Sequence, residues 1–492
     1  MKYDVVIGLE VHVQLKTVSK MFCGCGTQAG AEPNTQICPV CLGYPGTLPA
    51  INGEAVRLGA IAGMLLDSEI ARCSKFDRKS YFYPDVSKNY QITQYPHPIC
   101  IGGHLDITVG GAARRIGITR IHLEEDVAKS VHHATFSGVD FNRCGVALIE
   151  LVTEPELRAP AEAVAFLQAL RQTLVYAEVG ECNLEQGNMR CDANISLRPA
   201  GAERLGTKIE IKNLNSFKAV QAALEHEIVR QADLLNAGGV ILQETRRWNA
   251  DAGVTESMRG KENAHDYRYF PDPDLLPVVL SAEQIAEWRA TLPERPAARR
   301  ARLAAEYGLP PYDAEVLAAE RPVADFFEAV ARRCGNGKAA SNWIMTEVLR
   351  LLAESGTGIE ACALTPEALG DLIALVGRGT INQPTAKALL PELFSRGGDP
   401  AALVRARGLG QVGDAHVIAE WVETALADNP GPVADYLAGK QAAAGYLVGQ
   451  VMKLSRGKAD PKQVGALVAR GLEARRGGES GSGAAQAPGV VL

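Results

Sequence analysis

Nowhere in its 492 positions does the sequence hold a run of about 18 apolar residues, so nothing in it reads as a membrane span. The first residues do not read as a secretory signal either. In the opening MKYDVVIGLEVHVQL, Asp4, Glu10 and His12 interrupt the stretch that a signal peptide needs unbroken, and a cytosolic location is the expectation. There is no basic excess: the net charge is −6, so any contact with nucleic acid falls to local patches. An odd total of 11 cysteines, in a chain expected to be cytosolic, argues against a disulfide framework. Nucleotide-binding motifs fail on inspection. Gly408-Leu-Gly410-Gln-Val-Gly413 spells G-x-G-x-x-G, but the AALVRAR before it reads as helix where a dinucleotide fold needs a strand. Gly337-Lys338 lacks the leading glycine and the trailing Ser or Thr of a phosphate loop, so any ATP site is of another type. No Ser-His-Asp or Cys-His arrangement announces itself.

What is present is an ordinary globular composition, 47% hydrophobic and 22% charged, over a length that predicts two to four domains. Up to about residue 280, short runs alternate polar and apolar residues: Asp4–Leu15, Ile116–Leu123, Val146–Val152, Met189–Leu197 and Thr207–Lys212. That is the period of half-buried strands. Helical patterns intervene at Pro160–Glu178 and Phe217–Leu235, and the expectation is an α+β domain with a mainly antiparallel sheet. Near Leu280 the period changes. SAEQ, from Ser281, is a capping box, and apolar residues then recur at helical spacing as far as Arg475. The chain thus divides into an α+β region at 1–290, an all-α region at 291–405, a small helical region at 406–475 and a tail at 476–492, whose GGESGSGAAQAPG stretch has no core-forming residues.

Cys23, Cys25, Cys38 and Cys41 form C-x-C-x12-C-x2-C. Two close pairs joined by a short loop let four thiolates converge on Zn²⁺, with Gly24 and Gly26 allowing a tight turn and Pro39 stiffening the second pair. A site with four thiolates and no vacant position is structural. Four ordinary buried cysteines, or a redox pair at Cys38 and Cys41, are the alternatives.

The strand patterns also carry charge. Glu10, His12 and Gln14 share one face of the first strand, and His122 shares a face with Glu124. Glu125 points the opposite way, so both glutamates reach one site only if the strand ends or bulges there. Arg190, Asp192, Asn194 and Ser196 alternate against apolar neighbours, as do Lys208, Glu210 and Lys212, and Glu150 interrupts an apolar run. Such faces are usually solvated. This mixture, hard oxygen donors beside cations, also suits a Mg²⁺–nucleotide complex.

Several blocks together resemble one family: IGLEVHVQLKTVSKMFCGC with ICPVCLGYPGTLP, KSYFYPDVSKNYQITQ, RIHLEEDVAKS, DFNRCGVALIELVTEP, GNMRCDANISLRP, TKIEIKNLNSF, HDYRYFPDPDLLP and KAASNWIMTEVL. They are similar to the B subunits of bacterial aspartyl/glutamyl-tRNA amidotransferases, from Tyr3 to about Gly471. The resemblance implies a cradle domain similar to glutamine synthetase, then a helical domain and a small tail domain. It implies ATP-dependent phosphorylation of the side-chain carboxylate of Glu on tRNA(Gln), or Asp on tRNA(Asn), followed by amidation. Ammonia would come through a channel from a glutaminase A subunit, with a small C subunit completing a heterotrimer.

Carried onto this chain, the resemblance makes Glu10, His12, Glu125, Glu150 and Glu210, with Glu124 second, the candidate catalytic residues, and His12, Glu125, Glu150 and Glu210 the Mg²⁺ ligands. Lys79, Tyr81, Lys88, Arg190 and Asp192 are candidates for the phosphate or the ammonia exit, with Lys88 against Glu125 as a gate. Lys453, Arg456 and Lys458 form a basic patch for tRNA phosphates, or a solvated helix end, whereas Trp343 reads as helix core. A zinc-stabilised RNA-binding scaffold and a free-standing ligase acting on a diffusible amino acid are the rival readings. The sequence leaves no room for the inserted domain of the family's archaeal relatives.

Overall fold

The computed structural model describes residues 2–258, 267–410, 415–455 and 457–479. Arg456, Gly413 of the G-x-G-x-x-G match and the tail from 480 lie outside the described residues. By its internal contacts the chain divides into two units, 1–296 and 297–492.

The first unit is organised by a 13-stranded sheet. In chain order its principal strands are β1 (Tyr3–Gln14), β2 (Asp77–Ser80), β3 (Tyr90–Thr93), β4 (Ala112–Glu125), β5 (Ala147–Thr153), β6 (Met189–Pro199), β7 (Ile209–Lys212), β8 (Thr245–Asn249) and β9 (Val254–Ser257). They lie in the order β9-β8-β7-β6-β1-β5-β4-β3-β2, antiparallel at every step except β7–β8. A mainly antiparallel α+β unit is therefore what the alternating segments build.

Alternation in β1 explains why this sheet has two unlike faces. Ile7, Leu9, Val11 and Val13 are fully buried, while Glu10, His12 and Gln14 stay half-buried on the other side. Each such apolar side chain contributes about 1.5–3 kcal/mol on burial. A slip of one residue would turn Glu10 and His12 into the core, so the apolar face holds the polar face in register.

Three helices cover the apolar face: α1 (Gly53–Leu65), α2 (Pro160–Tyr176) and α3 (Phe217–Asn236). Asn52 caps α1 by accepting from the amides of Glu54 and Ala55, and Ser216 caps α3 by accepting from Ala219. At Gly59 a Cβ would stand 3.0 Å from Leu123, so its absence lets α1 lie close on β4. The helix Ala282–Ala290 still belongs to this unit, since Ile285 and Trp288 pack against its core.

In the second unit the described regular elements are all helical. Its apolar residues gather into two separate cores, one within Leu303–Val404 and one within Ile418–Leu472. Within the stretch of helical spacing, a π-helical turn at Ile344–Val348 joins the helices Gly337–Trp343 and Leu349–Ser355. Trp343 is buried in the first of the two cores. A helix, Pro400–Ala406, precedes Gly408 where a dinucleotide fingerprint would need a strand. No described helix is long and apolar enough to cross a membrane.

Candidate active site

Antiparallel register, and not sequence proximity, assembles the polar face. Glu10 stands opposite Asp192, His12 opposite both Arg190 and Glu150, Glu150 opposite His122, and Leu148 opposite Glu124. Their side chains converge. His12 Nε2 lies 3.3 Å from Glu150, 3.6 Å from Glu124 and 3.8 Å from Glu10. His122 Nε2 lies 3.5 Å from Glu150 and 3.8 Å from Glu124. Thr93 donates to Glu124 at 3.3 Å. Two triads result, Glu10–His12–Glu150 and His122–Glu124–Glu150, each with its donor atoms within 4.8 Å of one another.

Five groups that can ligate a cation are thus packed together, from the buried Glu124 to the half-buried Glu10. Burial, followed by the charge of Glu150, raises the pKa of Glu10. Burial also raises Glu150, but His122, His12 and Lys79 outweigh it and hold that carboxyl well below the usual range. Burial disfavours the His12 imidazolium, yet its hydrogen bond to Glu150 and the charge of Glu124 carry its pKa up to about 9. His122 is nearly fully buried, and its Nδ1 finds no hydrogen-bond partner among the described residues. Carboxylates and imidazole nitrogens in this number suit a hard divalent cation, which would relieve the crowding of negative charge.

Cations complete the rim. Lys212 Nζ donates to Asp192 at 2.8 Å and approaches Glu210 at 3.1 Å, and those two carboxylates raise its pKa against the effect of burial. Arg190 donates to the buried Asp126 at 2.9 Å, and Gln14 donates to the same carboxylate at 2.8 Å. Lys79 sits over the Tyr267 ring at 4.9 Å, and its pKa is raised against burial by Glu124 first. Glu10, His12, Lys79, Tyr81, Glu124 and Arg190 all border one open cavity of about 1210 Å³.

Two expected metal ligands lie outside both triads. The strand β4 ends at Glu125 in unbroken register with β5, and the Glu125 carboxylate pairs with Lys88. Glu125 bonds Lys88 Nζ (2.5 Å to Oε1, 2.7 Å to Oε2) and accepts from the Ile92 amide at 3.0 Å. Glu210 remains on the polar face but is engaged by Thr245 at 2.6 Å and by Lys212, outside both triads. Beyond Glu125 lies a second cavity of about 550 Å³, walled by Phe22, Cys23, Cys41, Tyr44, Lys88 and Glu125. A smaller space of about 180 Å³ shares Lys88 and Glu125 with this cavity, and Gln91 and Asp126 with the large one. The small space thus shares walls with both cavities.

The four cysteines of the N-terminal pairs also meet. The Sγ atoms of Cys23, Cys25, Cys38 and Cys41 lie within 4.8 Å of one another, and all cysteines are free. Shared hydrogen bonding drives the thiols apart: Cys23 is pushed far up by Cys41, while Cys41 falls to about 4. The amide of Cys38 donates to Cys41 Sγ at 3.2 Å. The fully buried Lys20 adds its ammonium at 3.6 Å. A closed set of four soft donors with these supports fits Zn²⁺.

Residues 5–286 match the GatB/GatE catalytic domain family, and residues 325–472 match the GatB domain family. Over 473 residues the chain is 50% identical to the aspartyl/glutamyl-tRNA(Asn/Gln) amidotransferase B subunit of Solidesulfovibrio magneticus, covering 96% of this chain and 99% of that one. The proteins of the same name from Carboxydothermus hydrogenoformans and Thermoanaerobacter sp. are each 50% identical, over 95% and 94% of this chain and 98% of their own lengths. The chain belongs to the family of aspartyl/glutamyl-tRNA(Asn/Gln) amidotransferase B subunits.

Within the part that matches the family's GatB domain, Lys453 is exposed in the last turn of its helix and Lys458 is half-buried just beyond it. In the part that matches its catalytic domain, His122, Lys212 and Asp126 are contributors that motif reading did not select. His122 could have been found as the residue two before Glu124 on the same face. Asp126 gives no such signal, because its role depends on Arg190, 64 positions away.

Proposed function

We propose that this chain is the subunit that activates and amidates the amino acid on a mischarged tRNA, using ATP, Mg²⁺ and ammonia. The carrying observation is the convergence of Glu10, His12, His122, Glu124 and Glu150 beside Lys79, Arg190 and Lys212, in a member of this family. Partners are an A subunit that releases ammonia from glutamine and a small C subunit; the location is the cytoplasm. The working division is a catalytic cradle at 1–290, a helical domain at 291–405 and a tRNA-contacting tail domain at 406–475, with Lys453, Arg456 and Lys458 as phosphate contacts.

The chemistry needs two half-reactions. A carboxylate resists amide formation because its leaving group is poor, so the γ-phosphoryl of ATP is first transferred to the side-chain oxygen, releasing ADP. Ammonia then attacks the acyl carbon, the amide forms and phosphate departs. Bound Mg²⁺ supplies charge neutralisation of the phosphates and alignment for in-line transfer. Glu10, His12, Glu124 and Glu150 are the residues to hold it, with His122 behind them. Arg190, braced by Asp126 and Gln14, and Lys79 face the cavity as stabilisers of phosphoryl oxygens. Lys212 neutralises Asp192 and Glu210 at the edge of the same face.

Ammonia enters, in this reading, along the succession of spaces past β4, with the Lys88–Glu125 pair between the outer and inner ones. Delivery this way keeps an acyl phosphate from bulk water. The four thiolates hold a structural Zn²⁺ at the outer wall. The test is a reconstituted complex with its A and C partners, assayed for Gln-tRNA(Gln) from Glu-tRNA(Gln), and for Asn-tRNA(Asn) from Asp-tRNA(Asn). Amidation that requires ATP, Mg²⁺ and either glutamine or ammonium is expected. A complex that binds both tRNAs and turns over no ATP would overturn the reading.

A further inference from the structure

The four-cysteine centre and the Lys88–Glu125 pair are usually separate kinds of feature, one a staple and the other a polar contact. Here they are joined by two close contacts. The carbonyl of Cys41 accepts a hydrogen bond from Ser87 Oγ at 2.7 Å, and Cys144 Sγ donates to the same oxygen at 3.4 Å. Two residues beyond Cys41, Gly43 lies flat against Lys88: with φ at +70°, a Cβ built there would stand 2.5 Å from Lys88 Cγ. The turn between them is held by the amides of Leu42 and Gly43, which donate to the carbonyls of Cys38 and Val40 at 3.0 Å each. From the other side, Lys20 is fully buried and ties Cys41 Sγ (3.6 Å) to the carbonyl of Phe141 (3.3 Å). The Cys38–Gly43 turn therefore packs directly against the backbone and side chain that present the Lys88 ammonium to Glu125.

We infer that the metal-binding turn positions Lys88, through Ser87 and Gly43, so that the four-cysteine centre controls the ammonia passage while leaving the phosphoryl site untouched. The inference rests on the passage reading given above. Ser87 and Gly43 are positioning residues, acting through Lys88. Removing the metal frees the turn and releases Lys88 from its station. Glu10, His12, Glu124 and Glu150 take their geometry from strand register, which does not depend on that turn.

The experiment uses the whole three-subunit complex and compares amidation driven by glutamine with amidation driven by ammonium chloride. Ammonium from solvent reaches the open cavity directly, so it bypasses the passage. Ser87→Ala, zinc still bound, should lower glutamine-driven amidation about fivefold, the effect of one lost hydrogen bond, and spare ammonium-driven amidation and ATP turnover. Gly43→Ala should show the same split. Ser87→Ala should also release zinc more readily, its zinc affinity lowered about fivefold in competition with a chromophoric chelator. Stripping the zinc should give the full split. Wild-type ratios of the two activities together with wild-type zinc release in Ser87→Ala would overturn the inference, as would an equal fall of both activities in the stripped complex. A Lys88→Ala complex that keeps the wild-type ratio would overturn the passage reading and the inference with it.

Discussion

The two candidate metal centres of the first unit are built on opposite plans. The four thiolates come from residues 23 to 41, in one loop whose turns are closed by its own amides. The carboxylate–imidazole group draws on β1, β4 and β5, and its members are as far apart in the chain as Glu10 and Glu150. A local centre can order a loop by itself, because binding the ion and folding the loop are one event. A centre spread over three strands has no such power, and it inherits its geometry from the apolar face behind it. The first should therefore fail by losing structure, and the second by losing chemistry.

The largest expected effect is chemical. Glu150 belongs to both triads, so Glu150→Gln should lower ATP turnover by about 10²- to 10³-fold while the complex assembles and its Tm stays near wild type. A large fall in Tm would erase the contrast, since it would make the strand group a folding element. Next comes the local centre. Cys41→Ser should abolish zinc retention and lower Tm, measured by calorimetry alongside metal content, with ammonium-driven amidation surviving below the transition. His122→Gln should be milder: about a 10- to 100-fold loss of Mg²⁺ affinity, measured by titration, as befits a group behind the principal ligands. Smallest should be Lys453→Ala. It should weaken tRNA binding a few-fold at low salt and reduce the salt slope by about one unit, without altering ATP turnover at saturating tRNA.

The same difference of plan decides what a reader of the sequence can see. C-x-C-x12-C-x2-C is legible because the chemistry lies in adjacent residues. Alternation in Asp4–Leu15 and Met189–Leu197 was legible as strands, and so was the change of period after Leu280. Face membership was legible for Glu10, His12, His122 and Glu124, since it follows from counting by twos. Pairing was not. Nothing local says that β1 lies between β5 and β6, and only that arrangement sets His12 against both Glu150 and Arg190. Glu125 shows the limit from the other side. Resemblance alone placed it with the metal group, and its pairing with Lys88 is not visible in the alternation. Lys20 was invisible for a plainer reason: a fully buried lysine contradicts the ordinary preference of its type, and the Cys41 sulfur and Phe141 carbonyl beside it explain the exception.

The central claim is that the polar face activates the carboxylate while the far side of Glu125 handles ammonia. The most direct test measures Mg²⁺- and Glu-tRNA(Gln)-dependent ATP turnover in the three-subunit complex, for Glu150→Gln and Glu125→Gln side by side, with glutamine and with ammonium chloride. Glu150→Gln should lose turnover with either nitrogen source, whereas Glu125→Gln should keep it and lose only glutamine-driven amidation. Equal loss of ATP turnover in both variants would contradict the division and return Glu125 to the phosphoryl site.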